Sequence, residues 1–119
     1  YDWCCAYVYY LLKKAGYRLS LTPLSESDWT LDVVRTWYLL WARQENIFLE
    51  SFHTPEAGDL VLFNRLIENV ELDHIGIVIK NNDTEIMTSE GNYYNCSGIF
   101  SRKKDDKIHG YIRLITSKN

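Results

Sequence analysis

Cys4, His74 and Glu90 are the side chains whose types and positions could assemble a thiol-based acyl transfer. Cys4 falls in the first turn of a segment with apolar residues at helical spacing, Trp3, Tyr7, Tyr10 and Leu11 on one line and Cys4, Val8, Leu12 and Ala15 on another. The amide groups and macrodipole at a helix start favour an anion, so a thiol there has a lowered pKa and a larger thiolate fraction. Cys5 lies about 100° further round the same turn and shares the effect. The same positions equally suit small core residues, because free cysteine is among the most buried residue types.

His74 lies in Asp73-His74-Ile75-Gly76-Ile77, part of an alternating β-branched run over 72–80 that predicts a strand with Ile75, Ile77 and Ile79 on one face and His74 and Gly76 on the other. Glycine inside a strand marks the close approach of a ligand or another segment. If Asn81-Asn82-Asp83 is a three-residue loop, Lys80 pairs with Thr84, and the same register sets His74 directly opposite Glu90. Residues so opposed have Cβ atoms about 4.5–5.5 Å apart. A carboxylate there fixes the imidazole tautomer and stabilises the imidazolium; a structural histidine in an ordinary cross-strand charge pair has the same signature. A two-residue loop would send the two side chains to opposite faces.

The elements around these residues change character along the chain. A helix is expected over 3–15, capped by Asp2 and stopped by Gly16. A loop with Pro23 follows, then a second amphipathic helix over 30–44 built on Leu31, Val34, Tyr38 and Trp41. Beyond Pro55, short strands are expected at 60–63, 72–80, 84–90 and 109–115, with Gly91-Asn92 breaking the third. Helices first and antiparallel strands later predict an α+β domain.

The chain has 119 residues, 46% hydrophobic and 14% aromatic, enough to bury one core without a disulfide or metal framework. Composition excludes disorder and low-complexity architecture, and no apolar run is long enough for a membrane span. Residues 44–90 carry ten acidic and two basic side chains; residues 102–119 carry six basic and two acidic ones and read as a solvated end rather than a nucleic-acid footprint. Three cysteines, two of them adjacent, give neither a disulfide framework nor zinc-ligand spacing, so no metal is expected. The start at Tyr1 rather than Met reads as a processed or excised piece, so compartment is not read from a missing leader.

Four blocks together resemble the CHAP domains, cysteine- and histidine-dependent amidohydrolases/peptidases related to the NlpC-type cell-wall peptidases. Trp3-Cys4-Cys5-Ala6-Tyr7-Val8 resembles their Trp-Cys-Ala-x-Phe-Val block, Pro55 to Phe63 their Pro-x-x-Gly-Asp strand, Asp73 to Val78 their His-Val-Gly-Ile-Val block, and Glu90-Gly91-Asn92 their Glu-x-Asn. The blocks stand in family order over residues 3–92. The resemblance implies a papain-like α+β fold, N-terminal helices with the cysteine-bearing one first, packed on a C-terminal antiparallel sheet, the whole of 1–119 forming a single catalytic domain of a longer or processed chain.

The implied activity is cleavage of a peptidoglycan amide bond, as an N-acetylmuramoyl-L-alanine amidase or a stem or cross-bridge endopeptidase, in a bacterial or phage cell-wall setting outside the cell. On that resemblance Cys4 is the nucleophile, His74 the base, Glu90 the residue that orients it, and Asn92 a fourth polar group. Gly58-Asp59 reads as a structural turn. The resemblance implies no cofactor, and without an Asp-rich loop before Cys4 no calcium is expected. Papain-like enzymes often draw an oxyanion donor from a side chain several residues before the cysteine, and three residues precede Cys4 here, so the donor is expected to be the Cys4 backbone N–H with another group, or one removed with the upstream segment. The rival readings are a non-catalytic cell-wall binding module and a transferase or deamidase acting on a protein side chain.

Overall fold

A computed structural model describes residues 3–14, 47–67, 69–91 and 97–113, the side chains of residues 3–6 and 9 excepted. The elements are helix α1 (Trp3–Lys14) and strands β1 (Phe48–Glu50), β2 (Leu60–Phe63), β3 (His74–Asn81), β4 (Glu85–Gly91), β5 (Ser97–Lys103) and β6 (Ile108–Ile112). The strands form one antiparallel sheet in the order β1-β6-β2-β3-β4-β5.

This corrects the expected architecture. The papain-like arrangement of N-terminal helices packed on a C-terminal sheet gives way to a fold that is mostly antiparallel sheet, six strands with one 12-residue helix among the described residues. The helix expected over 30–44 lies outside the described residues. Two strands lacked a readable signal. β1 has three residues, too few to show alternation. β5 turns Gly98, Phe100 and Arg102 inward and Ser97, Ile99, Ser101 and Lys103 outward, so a charge faces in and an isoleucine faces out. An inward charge is a known device for guarding a sheet edge, and it inverts the hydrophobic pattern by which strands are recognised.

One face of the sheet carries a core of Val61, Phe63, Val78, Ile86, Ile108 and Tyr111. α1 packs on β3 and β4, with Val8 and Leu12 buried and Tyr7 Oη 2.7 Å from Ser89 Oγ. Ser89 alternates with Thr88 and Glu90 along β4, so α1 rests on the sheet face that turns away from the Glu90 side chain.

Two junctions hold the central strands. Gly58, at φ 97°, takes a left-handed turn that suits glycine, and its N–H donates to the Val78 carbonyl. Asp59 follows, buried, and accepts two bonds from Arg113, at 3.1 Å from Nε and 2.9 Å from Nη2, pinning the entry of β2 to the end of β6. Between β2 and β3, Asp73 accepts the Leu66 and Ile67 amides and Asn64 accepts the Leu72 amide. These bonds hold a loop in which Arg65, Asn69 and Leu72 adopt positive φ.

Candidate active site

His74 opens β3 and is buried against Phe63, its register partner on β2, with the rings stacked 5.8 Å apart. Its Nε2 lies 2.7 Å from Glu90 Oε1. The pair is not directly opposed, as a three-residue loop would make it. The turn spans residues 82–85, with the Asn82 side chain accepting the Thr84 and Glu85 amides, and it pairs Asn81 with Ile86 and Lys80 with Met87. Continued unchanged, that register would put His74 and Glu90 on opposite faces. A bulge at Ile79 intervenes, after which Val78 pairs with Thr88 and Ile77 with Ser89. Gly76 then stands across from Glu90, and a Cβ on Gly76 would lie 2.8 Å from Glu90 Cγ. His74 and Glu90 therefore share a face and meet diagonally.

Glu90 is 1% exposed. Besides His74 it accepts Thr88 Oγ1 at 2.5 Å and both Arg102 Nε, at 2.9 Å, and Arg102 Nη2, at 2.6 Å. Burial alone would push the carboxyl up; the Arg102 fork, His74 and Thr88 together outweigh it and hold the carboxyl down at about 2. Glu90 is thus an anion throughout the neutral range, with its lone pairs directed at fixed donors. Such an arrangement can orient an imidazole and stabilise its protonated form.

Arg102 was not legible as a site residue, because residues from 102 onward read as a solvated basic end. That reading is corrected. Arg102 is half-buried on Glu90, Arg113 is bound to Asp59, and Ile108, Tyr111 and Ile112 are core residues of β6. The available signal was the alternation Gly98-Phe100-Arg102, together with the need of a buried carboxylate for a lasting cation. Arg102 and Phe63 also line a pocket of about 180 Å³ with Leu66, Ser101, Lys103, Asp105 and Lys107. The acidic stretch over 44–90 proves partly internal, since Asp59, Asp73 and Glu90 are all buried and hydrogen-bonded.

Of the other expected site residues, Cys4 is placed by its backbone in the first turn of α1, and its side chain lies outside the described set, as does Asn92 altogether. Among the described residues no group of three His, Cys, Asp or Glu side chains is placed to hold a metal ion, and no helix is long and apolar enough to cross a membrane.

Neither a curated protein nor a solved structure matches the chain. The model of the CHAP domain family matches residues 1–92, a span running from the helix that carries Cys4 to the end of the strand that carries Glu90. A buried histidine–carboxylate pair on adjacent strands, with a cysteine-bearing helix packed on the same two strands, is thus the setting in which the match falls, and the chain belongs to the CHAP domain family, a family of peptidoglycan hydrolases of the amidase and peptidase type.

Proposed function

We propose that this chain hydrolyses an amide bond of peptidoglycan through a Cys4 thiolate, with His74 as general base and acid and Glu90 as the residue that orients it. The observation that carries the reading is the 2.7 Å bond from Glu90 to Nε2 of His74. On this reading the carboxylate orients the ring through Nε2 and the thiol chemistry falls to Nδ1. α1 packs on the strands that bear this pair, and Cys4 stands at its start, where the helix dipole favours a thiolate. For this reaction the start of α1 must reach the His74 ring past the end of β3, whose first residue is His74.

In the reaction Nδ1 accepts the Cys4 proton and the sulfur attacks the amide carbonyl. The tetrahedral intermediate collapses with cleavage of the C–N bond, and the proton on Nδ1 passes to the leaving amine. A water then gives a proton back to Nδ1 as its oxygen attacks the acyl-enzyme, and the thiol departs with that proton. The Cys4 backbone N–H is one oxyanion donor. The bond is the muramoyl–alanine amide or a peptide bond of stem or cross-bridge, and the enzyme acts on the wall, outside the membrane. Asn92, carried from the Glu-x-Asn block, serves as a second orienter or amide donor. Residues 1–119 form one catalytic domain. A zymogram on purified walls tests the reading: clearing by the parent, none by Cys4→Ala or His74→Ala. Wall binding without clearing would instead support a binding module.

A further inference from the structure

We infer that Arg102 is a positioning residue of this site, holding Glu90 in place for His74 and offsetting its charge so that the imidazole is not locked in its protonated form. The inference rests on the proposed role of His74 as base. Arg102 lies beyond residues 1–92, the span that the family model matches, and comes from the edge strand β5.

The geometry is specific. Glu90 Oε1 is shared, with His74 Nε2 at 2.7 Å and Arg102 Nη2 at 2.6 Å. Oε2 accepts Arg102 Nε at 2.9 Å and Thr88 Oγ1 at 2.5 Å. The arginine is thus forked across both oxygens, a planar two-point grip that a lysine cannot reproduce. Its strand register sets it opposite Ile86, four residues from Glu90. To reach the carboxylate it crosses Phe100, with Cζ 4.7 Å from that ring centre, and ends 5.8 Å from the centre of Phe63, the ring that also stacks on His74. Two aromatic faces therefore fix the guanidinium plane.

The charge has a direct consequence. A buried carboxylate whose sole cationic partner is an imidazole holds the proton on that ring. The guanidinium cannot lose its proton in the working range, so it opposes that tendency at every stage. Glu90 from β4 bonds the His74 ring and Phe63 from β2 stacks on it, while Thr88 from β4 and Arg102 from β5 act on it through Glu90. The neighbouring Asp73 carboxylate is engaged by the Leu66 and Ile67 amides. From α1, Tyr7 bonds Ser89 on the opposite face of β4, and Cys4 is the nucleophile of the proposed reaction.

The test is an NMR titration of 15N-histidine-labelled full chain, with the His74 signals assigned by their loss in His74→Ala, alongside wall-lysis kinetics. Arg102→Gln gives Oε1 wholly to His74, so its imidazole titrates about one pH unit higher, a roughly tenfold gain in proton affinity. Its kcat falls about tenfold or more while KM stays within about twofold. Arg102→Lys keeps the charge and loses the fork: its titration stays within about 0.3 pH unit of the parent, and its kcat falls several-fold. An Arg102→Gln protein that folds and titrates as the parent does, or lower, overturns the charge argument. An Arg102→Lys protein with the parent's kcat overturns the positioning argument, even if Arg102→Gln does not fold. The titration needs no turnover, so a parent chain inert on walls would refute the proposed reaction separately from the role of Arg102.

Discussion

Glu90 stands across the sheet from Gly76, yet it bonds His74, two residues further along the neighbouring strand. Two features make this diagonal possible. The bulge at Ile79 restores the parity that the four-residue turn would otherwise reverse, and the missing side chain at position 76 leaves the space in which the Glu90 side chain lies. Gly76→Ala places a methyl 2.8 Å from Glu90 Cγ, closer than real contacts allow. Its expected outcome is a folded protein with wall lysis reduced about tenfold or more, since small displacements of an orienting group are costly. Circular dichroism and lysis rates on the same sample check it. Deleting Ile79 removes the bulge but leaves Val78 across from Thr88 and Gly76 across from Glu90, so the His74–Glu90 pair is expected to keep its shared face and lysis to survive.

The depressed pKa of Glu90 makes a prediction about acid stability. Its folded value is about 2 against an ordinary value of 4.5. The stability it contributes is therefore fully present above about pH 4.5 and is lost as pH falls toward 2, about 3 kcal/mol in all. Urea unfolding of parent and Glu90→Gln between pH 7 and 2.5 reads this as a difference that shrinks with acid. At neutral pH the variant should be less stable by roughly 3–5 kcal/mol, because Arg102 is left beside a neutral partner. Its lysis rate should fall less than that of His74→Ala, which removes the proton carrier itself.

Among Cys4, Cys5 and Cys96, Cys4 is expected to be alkylated fastest by iodoacetamide near neutral pH, having both the helix start and His74 to favour its thiolate. Peptide mapping after short exposure checks this. Cys5→Ala should keep most activity, and Cys4→Ala should lose it.

Asp59 provides a contrast among the buried carboxylates. It grips Arg113 with two bonds and lies in the turn that enters β2. Asp59→Ala should lower stability by about 2–4 kcal/mol and leave the pH profile of lysis unchanged, as measured by thermal unfolding and rate profiles. A shifted profile would place Asp59 in the reacting machinery.

How much of this was legible in the sequence varies by element. The shared face of His74 and Glu90 was expected from a three-residue loop that does not form; the four-residue turn alone would separate the two, and the bulge at Ile79 that brings them back to one face was invisible in the sequence. Ile79 looks like any other alternating isoleucine and is 40% exposed. β2 could be read residue for residue, since Leu60 to Phe63 is a short apolar run between turn signals. β5 and Arg102 could not, because the strand buries a charge and shows water an isoleucine at position 99. That inversion makes sense only once Glu90 is known to lie beneath it, which is a fact of tertiary structure rather than of local pattern.

The most direct test of the central claim is mass analysis of fragments released from purified cell walls by the full chain and by Cys4→Ala. The parent is expected to release fragments with one new amine and one new carboxyl terminus at a single type of amide bond, and Cys4→Ala to release none. No release by the parent, or the same fragments from Cys4→Ala, would contradict the account.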